Sequence, residues 1–228
     1  MKALSRVVLM LTVVAFAGCA SVSKMPLNDK VAAIDTSEKS ILVAKLSIRN
    51  DNKPSHQPNL LAVFVNQNEK DYSFTKPTLI ADLDKGGKEY FISMDVAPGK
   101  ATIKLARFMR QVPLLLNAMA DLPFEYEIDV PANEVVYVGN ITATIKPREG
   151  DAPRAGAVIP LIDQAVAGFS NGTFEVSITD NYDADMEALK AKYPYIASQA
   201  IAKNLLPAWT HPEQRGEAPT ILAEKTEE

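Results

Sequence analysis

The hydrophobic positions between residues 40 and 180 follow the two-residue period of β-strands. Segment 124–130 is the clearest case, because apolar Phe124, Tyr126 and Ile128 alternate with acidic residues. Short turn signals separate such segments, and no long helical pattern alternates with them. The predicted strands are Ser40–Asn50, Leu60–Val65, Thr78–Leu83, Glu89–Val96, Lys100–Phe108, Phe124–Val130, Glu134–Lys146 and Thr173–Asp180. The pattern predicts a mainly β protein folded as an antiparallel β-sandwich.

Two apolar insertions and one helix complete the pattern. The first insertion, Met109–Leu122, and the second insertion, Pro153–Phe169, each contain a proline that suits the first position of a short helix. Apolar residues then step by three and four through residues 186–200, which predicts a C-terminal α-helix. Asp183 is the predicted N-cap, and Pro194 is expected to kink or split this helix. The expected architecture is an Ig-like sandwich with short helical insertions and a C-terminal helix.

The N-terminus has the order of a secretory signal peptide. Lys2 and Arg6 precede an apolar run, 7–17, that is too short to cross a bilayer as a permanent helix. Small residues follow, and then Cys19, the only cysteine, which excludes an internal disulfide. The expected organisation is a signal peptide at 1–18, a flexible tether at 19–37, a domain at 38–206 and a loosely ordered tail at 207–228.

The stretch Phe16-Ala17-Gly18-Cys19 resembles the lipobox of bacterial lipoproteins, with Phe16 where Leu is usual. The resemblance implies that Cys19 becomes the lipid-modified N-terminus, carrying acyl chains such as palmitate, and that this lipid attaches the protein to a membrane. Two or more chains give stable anchoring. Ala20 follows in place of the Asp that retains such proteins at the inner membrane. The implied location is the bacterial cell envelope, at the outer membrane facing the periplasm.

A second resemblance concerns the stretch Val96-Ala97-Pro98-Gly99-Lys100-Ala101-Thr102-Ile103. Its order of strand, Pro-Gly turn and strand is similar to carboxypeptidase-regulatory-like and PEGA-type β-sandwich modules. Those modules are mostly accessory or binding units. The resemblance therefore suggests a β-sandwich fold and does not imply catalysis.

Charge and composition narrow the classes of partner. The 228 residues include 24 basic and 28 acidic side chains, and the formal charge is −6 once Lys2 and Arg6 leave with a signal peptide. An acidic chain without a basic block argues against nucleic acid. The sequence has no Walker loop and no GxGxxG, so no nucleotide is expected. His56 and His211 lack partners at metal-ligand spacing, so neither a metal nor another cofactor is predicted.

The strongest catalytic candidate is Ser170 in the stretch 168–172, which reads GxSxG. Asp180 or Asp183 and then His211 follow in the chain order of α/β-hydrolase triads. In those enzymes the serine follows a strand and precedes a helix, whereas here a helical stretch precedes it and a strand follows. Gly-Phe-Ser-Asn-Gly is also typical of a turn, which is the preferred interpretation. A serine esterase-like hydrolase using Ser170 is the alternative.

The apolar insertions are the other candidate site. The residues concerned are Leu114, Leu115, Leu116, Met119, Ile159, Leu161 and Ile162. They either close one end of the sandwich as extra core or form a docking patch or small apolar pocket. The sequence thus predicts a lipid-anchored envelope lipoprotein that acts as a non-enzymatic interaction or accessory module, with another envelope protein as its partner. A protein that binds an apolar ligand such as a lipid is a further alternative.

Overall fold

The computed structural model describes residues 21–112, 117–158 and 164–217, in which it has eleven strands and one α-helix. The strands are β1 Ser21–Lys24, β2 Ser40–Asn50, β3 Asn59–Gln67, β4 Lys70–Thr75, β5 Thr78–Asp82, β6 Lys88–Val96, β7 Gly99–Arg110, β8 Ala118–Val130, β9 Val135–Pro147, β10 Gly172–Thr179 and β11 Ile201–Lys203. Helix α1 spans Tyr182–Lys192, and short 3-10 helices span Gln164–Val166, Pro194–Ile196 and Pro212–Arg215.

The strands form two sheets. Sheet A has the order β1-β4-β3-β7-β8, and sheet B has the order β10-β9-β2-β6-β5 with β11 also beside β9. The mainly β fold with a helix near the C-terminus is confirmed. Most neighbours are antiparallel, but β1–β4, β2–β9 and β11–β9 are parallel, so both sheets are mixed. The β2–β9 pair is parallel because the chain crosses to sheet A for β7 and β8 and re-enters sheet B in the direction of β2.

The main core lies between the two sheets. Sheet B contributes Leu42 and Leu46 of β2, and sheet A contributes Val63 and Val65 of β3, all of them fully buried. Alternate residues of each strand point inward, which is the physical origin of the period-two pattern in the sequence. The turn from β6 into β7 has Gly99 at a φ of 112°, a backbone conformation that favours glycine, as the Pro-Gly pair predicts.

A second, smaller core covers the outer face of sheet B. Ile41 and Val43 of β2 lie there in one buried cluster with Met186 and Leu189 of α1. The molecule therefore has three layers: sheet A, sheet B and the helix. This burial explains why residues 41–44 of β2 are apolar without alternation, since both faces of the strand are covered there.

The helix differs from the prediction at its start. Asn181, rather than Asp183, precedes the first helical residue. The helix ends at Lys192, and a separate 3-10 turn begins at Pro194, so the proline splits the helical region.

The first insertion is not helical in its described part. β7 continues to Arg110 and β8 begins at Ala118, so the described residues of the segment extend a long hairpin. Arg107 of β7 holds the pair together through two hydrogen bonds to the Asp121 carboxylate of β8, at 2.8 and 2.7 Å. The described residues on both sides of the apolar run are therefore paired strands, and the run itself, residues 113–116, lies outside the described residues. The second insertion does contain a 3-10 turn, at Gln164–Val166.

The segment expected to be a tether belongs to the fold from Ser21 onward. Strand β1 pairs with β4, and Met25 and Leu27 are only 1% and 2% exposed. Met25 packs in the main core and Leu27 in the second core. Two buried side chains and a strand pairing are enough to dock this polar stretch. The signal peptide and Cys19 lie outside the described residues.

The segment 207–217, expected to be loosely ordered, is also docked. It belongs to a longer stretch, residues 204–217, that we call the strap. The strap starts beside β9, where the Asn204 and Leu206 amides donate to the carbonyls of Tyr137 and Val138, each at 3.0 Å. The chain then crosses the open side of the sandwich toward β8.

Tyr126 of β8 receives the strap on the other sheet. Its hydroxyl donates to the Ala208 carbonyl at 3.1 Å and accepts the Thr210 amide at 3.1 Å. Arg215 packs its guanidinium over the Tyr126 ring, 4.5 Å from the ring centroid, and donates to the Phe124 carbonyl at 2.7 Å. The strap therefore connects sheet B to sheet A along one side of the sandwich.

Candidate functional site

A cleft of about 580 Å³ lies between the strap, strand β10 and segment 147–153. Phe174, Val176 and Trp209 supply apolar surface, and the side chains of Lys146, Glu149, Glu175 and Gln214 are among its polar lining. The volume is within the range of small-molecule and peptide sites. We refer to it as the strap cleft.

Trp209 forms a fixed aromatic wall of the strap cleft. Its indole N–H donates to the Pro123 carbonyl of β8 at 2.8 Å, and its ring contacts His211 edge to face, with the centroids 6.0 Å apart. Both contacts hold the ring in one orientation. A rigid aromatic surface binds with little loss of side-chain entropy.

His211 is a buried imidazole beside that wall. It is 7% exposed, and its Nδ1 accepts the Glu213 amide at 3.3 Å, so the neutral ring carries its proton on Nε2. Burial lowers the pKa of His211 below its ordinary value, Glu213 opposes that shift, and Arg215 adds to it. At neutral pH the strap cleft is therefore lined by an uncharged imidazole.

Strand β10 forms the outer edge of sheet B beside the strap cleft. Gly172 turns its backbone away from β9, because its amide donates to the Phe169 carbonyl at 3.3 Å and its carbonyl accepts the Ala155 amide at 2.8 Å. Backbone direction alternates along a strand, and the β10–β9 register has no bulge. The amides and carbonyls of Phe174, Val176 and Ile178 therefore also point outward, and no hydrogen bond from the described part of the chain reaches them.

Ala155 closes one end of this edge. Its amide bonds to Gly172 of β10, and its carbonyl accepts the Asp121 amide of β8 at 3.0 Å. One residue of the second insertion thus links the edges of both sheets. Beyond Gly172, no hydrogen bond from the described residues reaches the outer edge of β10, which runs along the strap cleft.

Ser170 lies in the turn before β10 and is 6% exposed. Gly168 of the same turn has a φ of 80°, and a side chain at Gly172 would place its Cβ 2.6 Å from Ile145 Cγ2. Both glycines of the GxSxG pattern are therefore required by the turn and its packing. Asn52 fixes the turn further by donating to the Gly168 carbonyl at 2.8 Å.

Asp180 and His211, which would complete a triad with Ser170, have other partners. Asp180 pairs with Lys203 at 2.7 Å, and the Nδ1 of His211 accepts the Glu213 amide. In residues 21–112, 117–158 and 164–217, no hydrogen bond connects Ser170 with His211 or with either aspartate.

A separate polar cluster surrounds the fully buried Asp185 of α1. Its carboxylate accepts hydrogen bonds from the Tyr137 hydroxyl at 2.6 Å, from Asn140 at 2.9 Å and from Asn181 at 2.9 Å, and Lys45 Nζ lies 3.6 Å away. Burial and the bond to Asp185 raise the pKa of Tyr137. The carboxylate has several donors around it, so the cluster is explained by attachment of the helix to sheet B.

The sequence-predicted site residues are only partly described. Met119 lies half-buried in β8. The others, Leu114, Leu115, Leu116, Ile159, Leu161, Ile162 and the lipidation candidate Cys19, lie outside the described residues. Sequence reasoning missed the strap cleft, since Phe174 and Trp209 are far apart in the chain. The one available signal was the single tryptophan, which predicts an attachment of the tail.

The described residues contain no group of three side chains suited to hold a metal ion. They also contain no helix with the length and apolar character needed to span a membrane. Comparisons with protein-family models, curated proteins and solved structures found no match.

Proposed function

We propose that the protein is a bacterial envelope lipoprotein, anchored through lipid on Cys19, that acts as a non-enzymatic interaction module for another envelope protein. The strap cleft is the observation that supports an interaction role. It combines a fixed aromatic wall at Trp209, apolar strand residues and a rim with charges of both signs. Protein-binding surfaces commonly have such an apolar centre and polar border.

The position of the cleft suits an anchored protein. Strand β1 begins two residues after Cys19, and β1 and β8 are the opposite edges of sheet A. Four strand spacings separate them, or about 19 Å at roughly 4.8 Å each. A lipid attached beside β1 therefore leaves the strap cleft, on the β8 side, open to the surrounding compartment.

The anchor is tested by Cys19→Ala, with Ala20→Ser as a control that keeps the cysteine. We expect Cys19→Ala to lose lipid labelling and membrane retention, while Ala20→Ser keeps both. Labelling with a radioactive fatty acid and membrane fractionation measure the outcome. Unchanged labelling and retention of Cys19→Ala would reject the anchor.

The interaction role is tested by a photo-crosslinking amino acid placed at Gln214, on the strap cleft, and separately at Lys85, in the β5–β6 turn. A discrete adduct with one envelope protein is expected from position 214 and not from position 85. The enzymatic alternative has its own measurement, capture by a fluorophosphonate probe. Capture that Ser170→Ala abolishes would replace the proposal with a serine hydrolase.

A further inference from the structure

We propose that the outer edge of β10 binds an extended peptide segment of the partner, which adds to sheet B as a new strand. The inference rests on the proposed interaction role and names the kind of segment that is bound. Its basis is the row of outward amides and carbonyls at Phe174, Val176 and Ile178. These groups recur every second residue, at about 6.8 Å.

The chain itself demonstrates the pairing at the first position of the row. Ala155 donates to the Gly172 carbonyl at 2.8 Å, from the side that a further strand would occupy. The next three outward positions lack such a partner in the described residues. An extended polypeptide presents donors and acceptors at this same repeat, whereas a lipid chain does not.

The side chains around β10 indicate the composition of the segment. On the inner face, Phe174, Val176 and Trp209 border the strap cleft and favour an apolar side chain. On the outer face, Glu175 is 66% exposed, and in the described part of the chain its one cationic partner is Lys146. Opposite charges on neighbouring strands are favourable. The expected segment therefore alternates apolar and basic residues.

The other sheet edges are less suited to this role. β8 is covered by the strap and bonded to Ala155, and β1 has only four residues. β5 begins directly after Lys76 and Pro77, residues that commonly protect an edge from pairing. β5 also has only five residues, with a register shift between Leu79 and Ala81, whereas β10 has eight residues in unbroken register with β9.

The probe is the peptide acetyl-Lys-Val-Lys-Val-Lys-Val-amide, added to the purified protein, with amide hydrogen exchange followed by NMR. We expect exchange at Phe174, Val176 and Ile178 to slow at least tenfold. Exchange at Thr173, Glu175 and Ser177 should not change, because the backbone of these residues already faces β9. This alternation distinguishes strand addition from binding in the cleft by side chains alone.

Two modified peptides test the backbone bonds directly. One is N-methylated at every lysine and the other at every valine, so the side chains are unchanged. Only alternate amides of an added strand face β10, and one modified peptide should therefore bind while the other fails. Equal binding of both, or slowed exchange without the alternation, would overturn the proposal.

Two charge reversals test the composition. Glu175→Lys should weaken peptide binding about tenfold, whereas Glu127→Lys on β8 should not. The control is matched because Glu127, like Glu175, is an exposed carboxylate paired with a lysine of the neighbouring strand. An equal loss in both variants would indicate attraction by net charge alone and would contradict the assigned segment.

The remaining outcomes separate this inference from the proposed function. Slow exchange at the three amides before peptide is added would overturn it, as would their protection by self-association at high protein concentration. A crosslink from position 214 without peptide binding would retain the interaction role and reject strand addition. Peptide binding by Cys19→Ala together with unchanged membrane retention would reject only the anchor.

Discussion

The edges of β8 and β10 lie on the same side of the sandwich, yet one is closed and the other is open. The β8 edge is covered by the strap, in which Trp209, Ala208 and Arg215 contact Pro123 and Tyr126 of β8. Among the described residues, the β10 edge has one backbone partner, Ala155, which bonds to Gly172. The strap thus covers the edge of sheet A but does not cover the edge of sheet B. The strap cleft lies between the strap and the edge strand β10. Closing an edge requires specific contacts, and where they are missing a surface for another strand remains.

Replacing Trp209 at the closed edge of β8 should reduce the stability of the fold more than the other changes do. Trp209→Ala deletes the bond to Pro123 and the apolar contact with the main core. We expect a loss of about 3 kcal/mol in the free energy of unfolding, the low end for tryptophan because the ring is only partly buried. Chemical denaturation measures it, with the exposed Leu205→Ala as the control. An unchanged midpoint would mean that the strap does not stabilise the fold.

Removing the Tyr126 hydroxyl tests the hydrogen bonds between the strap and β8. Tyr126→Phe removes the bonds to Ala208 and Thr210 and keeps the ring under Arg215. The expected loss is about 1–2 kcal/mol. Tyr72→Phe is a matched control, because no hydrogen bond of the Tyr72 hydroxyl is present in the described residues, and it should change stability little. Equal losses in both variants would contradict the assigned role.

The buried imidazole gives the closed edge a pH dependence. The pKa of His211 is lower in the folded protein than its ordinary value of 6.5, so the unfolded chain binds the proton more tightly. Stability should therefore fall as the pH decreases from about 6.5 toward the lowered pKa, and rise in the opposite direction. His211→Gln should have a flatter stability profile in this range. Identical profiles for the two proteins would refute the assignment.

A substitution on the open edge of β10 should change the stability of the fold least. Glu175→Lys breaks an exposed ion pair with Lys146, and exposed pairs contribute little. We expect a change below about 0.5 kcal/mol, similar to that of Glu127→Lys. Thermal unfolding of both variants checks this. A large loss for Glu175→Lys alone would mean that β10 is held by contacts that the open-edge description does not include.

The sequence predicts most strands from the alternation of apolar and polar residues, and it predicts β2 although both faces of that strand are covered. β2 has the predicted bounds, and β10 differs by one residue at each end. β4 was missed because its apolar residues, Tyr72 and Phe74, are only two among polar neighbours. The described residues of the first insertion extend a hairpin where a short helix was predicted, and the Arg107–Asp121 pairing across that hairpin is invisible to periodicity.

The strap and the strap cleft were beyond sequence reasoning for a related reason. The strap is held by backbone carbonyls, such as that of Pro123, and by one hydroxyl, that of Tyr126. Backbone acceptors leave no trace in the residue pattern. The openness of β10 follows from strand order, which depends on how β9 returns beside β2. Local alternation identifies a strand, whereas its neighbours are set by the whole chain.

Strand β1 also determines how force would enter the domain. With the proposed lipid on Cys19, tension from the membrane passes directly into Ser21, and a pull along the strand loads the four β1–β4 pairs together, in shear. Met25, buried directly after them, resists extraction. If this segment detached, the chain up to Lys39 would extend by about 65 Å. The same residues would then link the lipid to the domain over a short distance when folded and over a longer distance when detached.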